Sequence, residues 1–365
     1  MAETQPVEPS APSPRRAELP DEIIVPYDWR TVQILIAGLI ALFFLGNLAL
    51  LPLQRAQDSD PGSVESRWHS LSTFERPHDW VVLGDSSAGA AINPAVLTAE
   101  LGGTAINLAL PGGPPFLDSW FLNEYAVHNG LPRHIIVQHV YDVWPRDTAI
   151  ASAARIPIPA AMFRDMHPPL HLRFRQRLNL FAERYLTAFR LRNGLRSRLR
   201  RVPAQLSRLL RGKELAPWAG AELVRSPDGF EPAYKHDEQA VRDDTDYHRR
   251  IVAEPGFKFE ISESSEQGLR NILEVTAAQG VPVYFPPSPM FEGIANEPGY
   301  QHFHAGWLAY MRELIAPYPH AHILDQMPYA RPAEDFSNTV DHLVVPAAAD
   351  HTRLIAEAIR ATHDL

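Results

Sequence analysis

The sequence predicts an α/β fold with a parallel sheet, and two alternating patterns point to this class. Short apolar runs of strand type recur along the chain, at 80–83, 105–110, 134–140, 281–285 and 321–324. Segments of helical character lie between or after them, near 115–128, 262–279, 302–316 and 346–362. Such alternation is typical of a parallel sheet covered by helices. Functional sites are then expected at the carboxyl edge of the sheet, where the strands end.

The composition is that of a folded chain, and it excludes several kinds of site. Hydrophobic residues make up 45% of the 365, which excludes wholesale disorder. There is no cysteine, which excludes disulfides, thiolate nucleophiles, zinc–thiolate sites and iron–sulfur clusters. The formal net charge of −9 argues against nucleic acid as the main partner. The sequence has no Walker-type loop and no GxGxxG motif, so nothing in it indicates a nucleotide or another cofactor.

The apolar segment 31–53 predicts one transmembrane helix. It carries no charged side chain, and a helix of this length spans about 34 Å, enough for the ~30 Å hydrocarbon core of a bilayer. A buried core helix would keep a polar stripe, and a cleaved signal peptide would have a shorter apolar run and an A-x-A-like site. We therefore expect a retained anchor. Residues 1–28 contain six prolines and few large apolar side chains, which predicts a disordered tail.

Basic residues beside the segment predict its orientation in the membrane. Arg15, Arg16 and Arg30 precede the helix, whereas only Arg55 follows it closely. Because basic flanks stay in the cytoplasm, the tail is expected to be cytoplasmic. Everything after about residue 55 is then expected to be extracytoplasmic.

One long segment, 148–258, interrupts the alternation and is expected to be a helical, Arg-rich insertion. Between residues 173 and 213 the chain has thirteen Lys or Arg and a single acid, Glu183. An apolar stripe with helical spacing runs through it, formed by Leu195, Leu199, Val202, Leu206 and Leu209. It is either an interfacial surface for anionic lipid, an anionic glycan or a protein partner, or a solvated basic face. The remaining segments, 61–147 and 259–365, suffice for one α/β domain.

Ser86 is the candidate nucleophile of this domain. In VVLGDSSAG, at 81–89, a hydrophobic strand ends at Gly84, and small residues follow where a turn or helix should begin. This arrangement places Ser86 at the carboxyl edge of the sheet. Backbone N–H groups at the start of the next helix can face a developing oxyanion there. A serine hydroxyl becomes a strong nucleophile only when a base removes its proton.

His342 is the candidate base. It lies in the loop between the last strand and the last helix that the sequence predicts, and a parallel sheet would bring this loop to the edge where Ser86 lies. A neighbouring carboxylate can orient an imidazole, and either Asp341 or Asp335 could do so here.

These residues together resemble the GDSL/SGNH hydrolase superfamily. Gly84-Asp85-Ser86 matches the first block of the family, and the resemblance covers about 190 residues outside the insertion, in the family's block order. It implies a three-layer, flavodoxin-like domain with Ser86 as the nucleophile. The second block is matched by Asn107-Leu-Ala-Leu-Pro-Gly112-Gly113, which makes the backbone N–H of Gly112 the implied second oxyanion donor.

The later blocks match only in part. Where the family has an oxyanion asparagine in the third block, this chain has Tyr141, followed by Asp142, and the tyrosine hydroxyl is the implied substitute donor. The last block keeps its register at His342, Leu343 and Ala348. It departs where Thr339 replaces an aspartate, Val344 an asparagine and Ala347 a glycine. Asp341 is then the nearest carboxylate for His342, unless a backbone carbonyl holds the ring. Asp85, Asn107 and Asp142 are further residues expected at the edge of the site.

The resemblance and the anchor together imply a function at the cell envelope. Membrane-anchored, outward-facing SGNH domains include the alginate O-acetyltransferase proteins and the D-alanyl transfer protein of teichoic acids. In them a membrane-bound O-acyltransferase often delivers the acyl group across the bacterial cytoplasmic membrane. The expected chemistry is an acyl-enzyme on Ser86 that passes its acyl group to a polysaccharide hydroxyl, or to water in an esterase.

The departures from the family blocks leave a second interpretation open. A catalytically weak or inactive SGNH-like scaffold could instead bind a glycan or a membrane O-acyltransferase. No metal is expected in either case, because His302-x-His304 and His320-x-His322 lack a third ligand at a fixed spacing.

Overall fold

The computed structural model describes residues 28–58, 63–74, 76–146, 149–159, 162–163, 165–166, 169–170, 172–192, 211 and 226–363. Residues 1–27 of the predicted tail and the predicted apolar stripe from Leu195 to Leu209 lie outside these ranges. The chain divides into two units, Met1–Leu48 and Ala49–Leu365.

One long N-terminal helix, α1, runs from Trp29 to Asp58. Its stretch Trp29–Pro52, 24 residues with a mean hydropathy of 2.6, is long and apolar enough to cross a membrane. The amide of Asn47 donates a hydrogen bond to the Phe43 carbonyl at 2.8 Å, one turn earlier. Part of the polar capacity of this side chain is therefore satisfied inside the helix. By length and composition, the described part of the chain thus contains one candidate membrane span.

The second unit is built on a parallel sheet of five short strands. The strands of the unit, in chain order, are β1 (Trp80–Gly84), β2 (Ala105–Asn107), β3 (His134–Gln138), β4 (Val283–Phe285), β5 (Met290–Phe291), β6 (Ala321–Ile323) and β7 (Ala330–Arg331). The five-stranded sheet has the order β2-β1-β3-β4-β6, and all four pairings are parallel. β5 and β7 form a separate parallel pair. The predicted α/β class with a parallel sheet is confirmed.

The helices of the second unit lie on both faces of this sheet. In chain order they are α2 (Val64–Ser70), α3 (Ser86–Ala91), α4 (Pro94–Leu101), α5 (Pro115–Asn129), α6 (Ile150–Ala153), α7 (Phe174–Tyr185), α8 (Thr187–Arg190), α9 (Glu238–Val252), α10 (Glu263–Ala277), α11 (Glu292–Ala295), α12 (Pro298–Ile315) and α13 (Val345–His363). Alternate strand residues face opposite layers: Val81 belongs to a buried cluster with residues of α5, α10 and α12, whereas Val82 belongs to one with residues of α3, α4 and α13.

The strand order has a topological switch point between β1 and β3, where the chain connections lead to opposite sides of the sheet although the strands stay parallel. β2 continues the sheet on one side of β1, while β3, β4 and β6 extend it on the other. Crevices form outside the carboxyl ends of the strands at such a switch point, and ligands of open α/β sheets bind there. The segments that leave this edge are 85–86 after β1 and 139–142 after β3.

Three strands end earlier than the sequence predicts, β6 by one residue at Ile323 and two others by more. β3 was expected to reach Val140 but ends at Gln138, because the Val140 N–H donates to the carboxylate of Asp85 at 2.9 Å instead of to a strand. β2 was expected to reach Leu110 but ends at Asn107. The amides of Leu108 and Leu110 still donate to the β1 carbonyls, each at 2.8 Å, so the segment stays beside β1 as irregular backbone.

The last part of the predicted insertion packs into the α/β body. Phe230 is buried in the core beneath α13, and the carbonyl of Asp228 accepts a hydrogen bond from the Asn107 amide at 2.8 Å. Arg67 of α2 forms a buried ion pair with Glu231, with 3.3 Å between Nη2 and Oε1. Burial lowers the pKa of Arg67 to about 9. These contacts tie the segment that follows α1 to the region around residue 230.

Candidate functional site

The turn after β1 requires a glycine. Gly84 has φ +145°, and a Cβ atom on it would lie 2.0 Å from the Gln138 carbonyl oxygen of β3. No other amino acid fits so close to the neighbouring strand. The tight approach lets the chain leave β1 sharply and enter α3 with Ser86 as the first helical residue.

Asp85 is the buried cap that holds this turn. One oxygen accepts hydrogen bonds from the Ser87 N–H at 2.8 Å and the Ser87 hydroxyl at 2.5 Å. Its other oxygen accepts the Val140 N–H, which joins the ends of β1 and β3. Burial raises the pKa of Asp85, and the charge of Asp341 adds to this effect.

The two adjacent serines occupy different environments. Ser87 is fully buried, and its hydroxyl also accepts a hydrogen bond from Ser288, which follows β4, at 3.0 Å. Ser86 is partly exposed and makes no side-chain hydrogen bond within the described part of the chain. Ser86 is therefore the hydroxyl of the pair that a ligand can reach. Ser288, at the end of a Pro-rich turn, brings the β4 end to the same edge.

A buried pair of Asp118 and His139 lies beneath the turn. Asp118, on α5, accepts the Gly84 N–H at 3.2 Å and lies 2.6 Å from His139 Nε2. The other ring nitrogen of His139 is 3.9 Å from Asp85. Burial opposes a charge on this ring, but the two carboxylates outweigh burial and raise the pKa of His139. Burial raises the pKa of Asp118 as well.

The His342 loop is organised by short-range hydrogen bonds. The hydroxyl of Thr339 donates to Asp341 at 2.7 Å and accepts the His342 N–H at 3.1 Å. Thr339 thus shapes the loop. The His342 carbonyl accepts the Ser337 N–H at 2.8 Å. The ring of His342 is partly exposed, with Nε2 3.8 Å from Asp341 Oδ1.

The His342 loop and the Ser86 turn lie at the same edge of the sheet. The Phe291 N–H, three residues beyond Ser288, donates to the Val340 carbonyl at 2.8 Å, which connects the β4 end to the loop. Among the described residues, no hydrogen bond joins Ser86 to His342. The loop and the turn are linked instead through the segment 288–291, in which Ser288 donates to the Ser87 hydroxyl and the Phe291 N–H donates to the Val340 carbonyl.

Tyr141 is part of a chain of polar groups that the sequence did not suggest. Its hydroxyl lies 2.5 Å from Nδ1 of His248 on α9, and Nε2 of His248 lies 3.4 Å from Asp244. Asp244 also accepts the Val340 N–H of the His342 loop at 2.9 Å. Burial opposes a charge on His248, but Asp244 outweighs it and raises the pKa of His248. Burial likewise opposes the charge of Asp244, yet the hydrogen bond from His248 lowers the pKa of Asp244.

The protonation of His248 decides what the Tyr141 hydroxyl can do. Burial raises the pKa of Tyr141, so the phenol stays neutral. A neutral His248 that donates from Nε2 to Asp244 accepts a hydrogen bond from the phenol O–H at Nδ1. A charged His248 donates from both nitrogens, and the phenol O–H is then free to donate to another acceptor.

The other residues expected at the site have different partners. Asn107 is buried, and its amide nitrogen donates to the carbonyls of Ala88 and Ile92 at 3.0 and 2.9 Å. It therefore fixes the end of α3 against β2. Gly112 has φ +60°, and its carbonyl accepts from Arg146 at 3.3 Å. Asp142 forms an ion pair with the same Arg146 at 2.5 Å.

A cavity of about 260 Å³ opens beside Tyr141 and Asp142. Phe257 and Phe303 provide apolar surface there, and Lys258 provides a charge. The aromatic rings of Tyr141, Phe257 and Phe303 meet edge to face or stacked, with centroids less than 6 Å apart. In the ranges that the structure covers, no group of three or more His, Asp or Glu side chains could hold a metal ion.

Asp118, His248 and Asp244 are polar residues of this edge that the sequence reasoning missed. Asp118 carried one detectable signal, since it is an acid inside the apolar run PFLDSWFL at 115–122. Asp244 and His248 carried only an i, i+4 spacing in a segment rich in acids, which many exposed helices share.

The comparisons with known proteins add no relative. No protein-family model matches the chain, and no curated protein matches it.

Proposed function

We propose that the chain is a membrane-anchored, extracytoplasmic acyltransferase or esterase of SGNH type that acts through a Ser86 acyl-enzyme. The acceptor in this proposal is a hydroxyl of a bacterial cell-surface or exported polysaccharide, and a membrane-bound O-acyltransferase supplies the acyl group. One observation carries the proposal: the partly exposed Ser86 lies on a glycine-dependent turn that hydrogen bonds through Ser288 and Phe291 connect to the His342 loop.

In the proposed reaction, His342 takes the proton of the Ser86 hydroxyl as the oxygen attacks the acyl carbonyl. The bond between the acyl carbon and the donor's leaving atom then breaks, and His342 returns the proton to the leaving group. In the second half, His342 takes a proton from the acceptor hydroxyl as its oxygen attacks the acyl carbon. The bond from that carbon to the Ser86 oxygen then breaks, and His342 returns the proton to Ser86. A water molecule in place of the glycan gives hydrolysis.

The remaining residues have supporting roles in this proposal. The backbone N–H of Gly112 and the phenol O–H of Tyr141 donate to the oxyanion. Asp341 orients His342. Asp85 holds the turn on which Ser86 lies, and its hydrogen bonds to Ser87 and Val140 support that role.

A fluorophosphonate probe tests the chemistry, because it phosphonylates an activated serine and releases fluoride. We expect the full-length chain in detergent to be labelled at Ser86, and Ser86→Ala to abolish labelling. Ser72→Ala removes an exposed hydroxyl outside the site and should leave labelling unchanged. Labelling of Ser86→Ala at the wild-type rate, or an unlabelled wild-type chain, would refute an activated Ser86.

The alternative function is a non-catalytic SGNH-like scaffold that binds a glycan or a membrane O-acyltransferase. One observation supports it: in the described part of the chain, no hydrogen bond joins Ser86 to His342. In that case Ser86→Ala leaves polysaccharide acylation in cells unchanged, whereas a catalytic Ser86 makes the same variant lose it.

A further inference from the structure

Helix α7 presents an apolar stripe away from the body of the protein. Phe174, Leu178, Phe181 and Tyr185 are 77%, 52%, 55% and 58% exposed. At about 100° per residue, their spacing places all four within an arc of about 60° on the helix surface. The buried residues of the helix, Leu180 and Glu183, lie on the opposite side. Folded proteins seldom leave such a contiguous apolar surface in water without a use for it.

The charges beside this stripe are basic. Arg175 and Arg177 are exposed and lie on either side of it on the helical wheel. The single acid of the helix, Glu183, is buried and paired with Arg192 at 2.5 Å. An aromatic and aliphatic stripe between arginines has the composition of a helix that lies flat in the surface of an anionic membrane.

A contact near the C-terminal end of α7 places this helix beside the end of the candidate membrane span. Gln54 follows Pro52, the last residue of the span, by two residues, which is about 3 Å along the axis of α1. The side chain of Gln54 accepts a hydrogen bond from Thr187 at 2.7 Å. Thr187 in turn follows Tyr185, the last residue of the stripe, by two residues. A membrane that contains the span therefore has its surface close to this end of α7.

We infer that α7 is an interfacial helix that rests in the bilayer crossed by α1. Its four apolar side chains lie at the boundary between headgroups and acyl chains, and Arg175 and Arg177 contact anionic headgroups. The inference depends on the membrane insertion of α1 and not on the chemistry of Ser86. It gives the body of the protein a second attachment to the membrane, in addition to the anchor.

The absence of cysteine allows a direct test with single-cysteine variants. Leu178→Cys places an environment-sensitive NBD fluorophore on the stripe of the full-length chain, reconstituted at one copy per nanodisc with phosphatidylglycerol and lipid spin-labelled near the headgroup. The matched control is Val127→Cys on α5, at an apolar position that is 78% exposed. We expect the spin label to quench most of the emission at 178 and to leave that at 127 almost unchanged.

A further variant separates lipid contact from other occupants. In the Leu178→Cys background, Phe174→Ser with Phe181→Ser removes two of the apolar side chains, and quenching should then fall towards the level seen at 127. Circular dichroism checks that this variant keeps its helix content. Equal emission at 178 and 127 would show that the stripe lies in water, and a buried but unquenched label at 178 would show that another protein surface covers it. Either result would overturn the inference.

Discussion

Asp118 Oδ2 and His139 Nε2 lie 2.6 Å apart in the buried space directly beneath the Ser86 turn. Asp118 also accepts the N–H of Gly84, and His139 adjoins Asp85. The pair therefore touches two of the three residues of the Gly84-Asp85-Ser86 block from below. Because both side chains are almost fully buried, the geometry of the turn depends on how this pair is protonated.

Asp118→Asn should destabilise the protein. The amide keeps the shape and one acceptor, but it removes the charge that attracts His139, so we expect a loss of about 1–3 kcal/mol in the free energy of unfolding. Denaturant unfolding of the full-length chain in detergent measures it. Glu266→Gln, in an exposed ion pair with Arg270, is the control and should cost less than about 1 kcal/mol. Equal losses in the two variants would contradict a structural role for the buried pair.

Gly84→Ala should prevent the turn from closing. The added Cβ would meet the Gln138 carbonyl at 2.0 Å, in addition to the cost of φ +145°. Gly130→Ala is the matched control, since Gly130 has φ +78° and open space around its Cβ position. We expect the control to lose about 1–2 kcal/mol of stability, the cost of a left-handed conformation alone, and Gly84→Ala to lose clearly more. Similar thermal midpoints for the two variants would disprove the close approach of β1 and β3.

His351 should make the protein less stable in acid. This residue of α13 is fully buried, with Nε2 3.0 Å from Gln138, and burial, with the charge of Arg331, lowers the pKa of His351 to about 3. Between about pH 6.5 and pH 3 the unfolded chain binds a proton that the folded chain does not. Stability from this group is complete above about pH 6.5 and falls by up to about 1.4 kcal/mol per pH unit below it.

The free energy of unfolding of wild type and of His351→Gln, measured as a function of pH, tests this loss of stability in acid. The glutamine does not titrate, so the difference in unfolding free energy between wild type and variant should shift in favour of the variant as the pH falls from 6.5 to 4. All other groups cancel in that difference. Two curves that run parallel across this range would show that His351 is accessible to protons in the folded state.

Tyr141→Phe should slow the reaction of Ser86 with the fluorophosphonate probe. A hydroxyl that donates to the oxyanion contributes on the order of 10²-fold in rate, and the phenylalanine keeps the ring packing. His248→Gln should reproduce part of the loss, because it removes the charged partner that frees the phenol proton. Tyr310→Phe, on α12, is the control. An unchanged rate in Tyr141→Phe would leave its hydroxyl with the single role of bonding His248.

The alternation of apolar runs and helical segments was enough to predict the five strands of the main sheet and their parallel arrangement. Ser86 could be placed at a strand end because an apolar run stops at Gly84. Strand ends were less predictable: β3 stops at Gln138 because a carboxylate 55 residues away accepts the Val140 N–H. Local pattern carries no information about such a partner.

The polar partners at the site were hidden for the same reason. His139 was visible as a residue after a strand, but its pairing with Asp118 depends on how α5 packs on the sheet. His248 meets Tyr141 across 107 residues of sequence, from a helix in the predicted insertion. A pattern within a short sequence window reports only local periodicity. Both contacts join residues that are far apart in the sequence, so no local pattern predicts them.

The buried ion pair between Arg67 and Glu231 keeps the globular body close to the C-terminal end of α1. Only residues 59–62 separate the end of α1 from Ser63, the cap of α2, and four extended residues reach about 14 Å. α2 is held in the globular body by this ion pair, and Thr187 of the body also donates a hydrogen bond to Gln54 of α1. If α1 is inserted in a membrane, the body therefore stays next to the membrane surface. Under the proposed function, an acceptor polymer would then have to approach that surface before it could be modified.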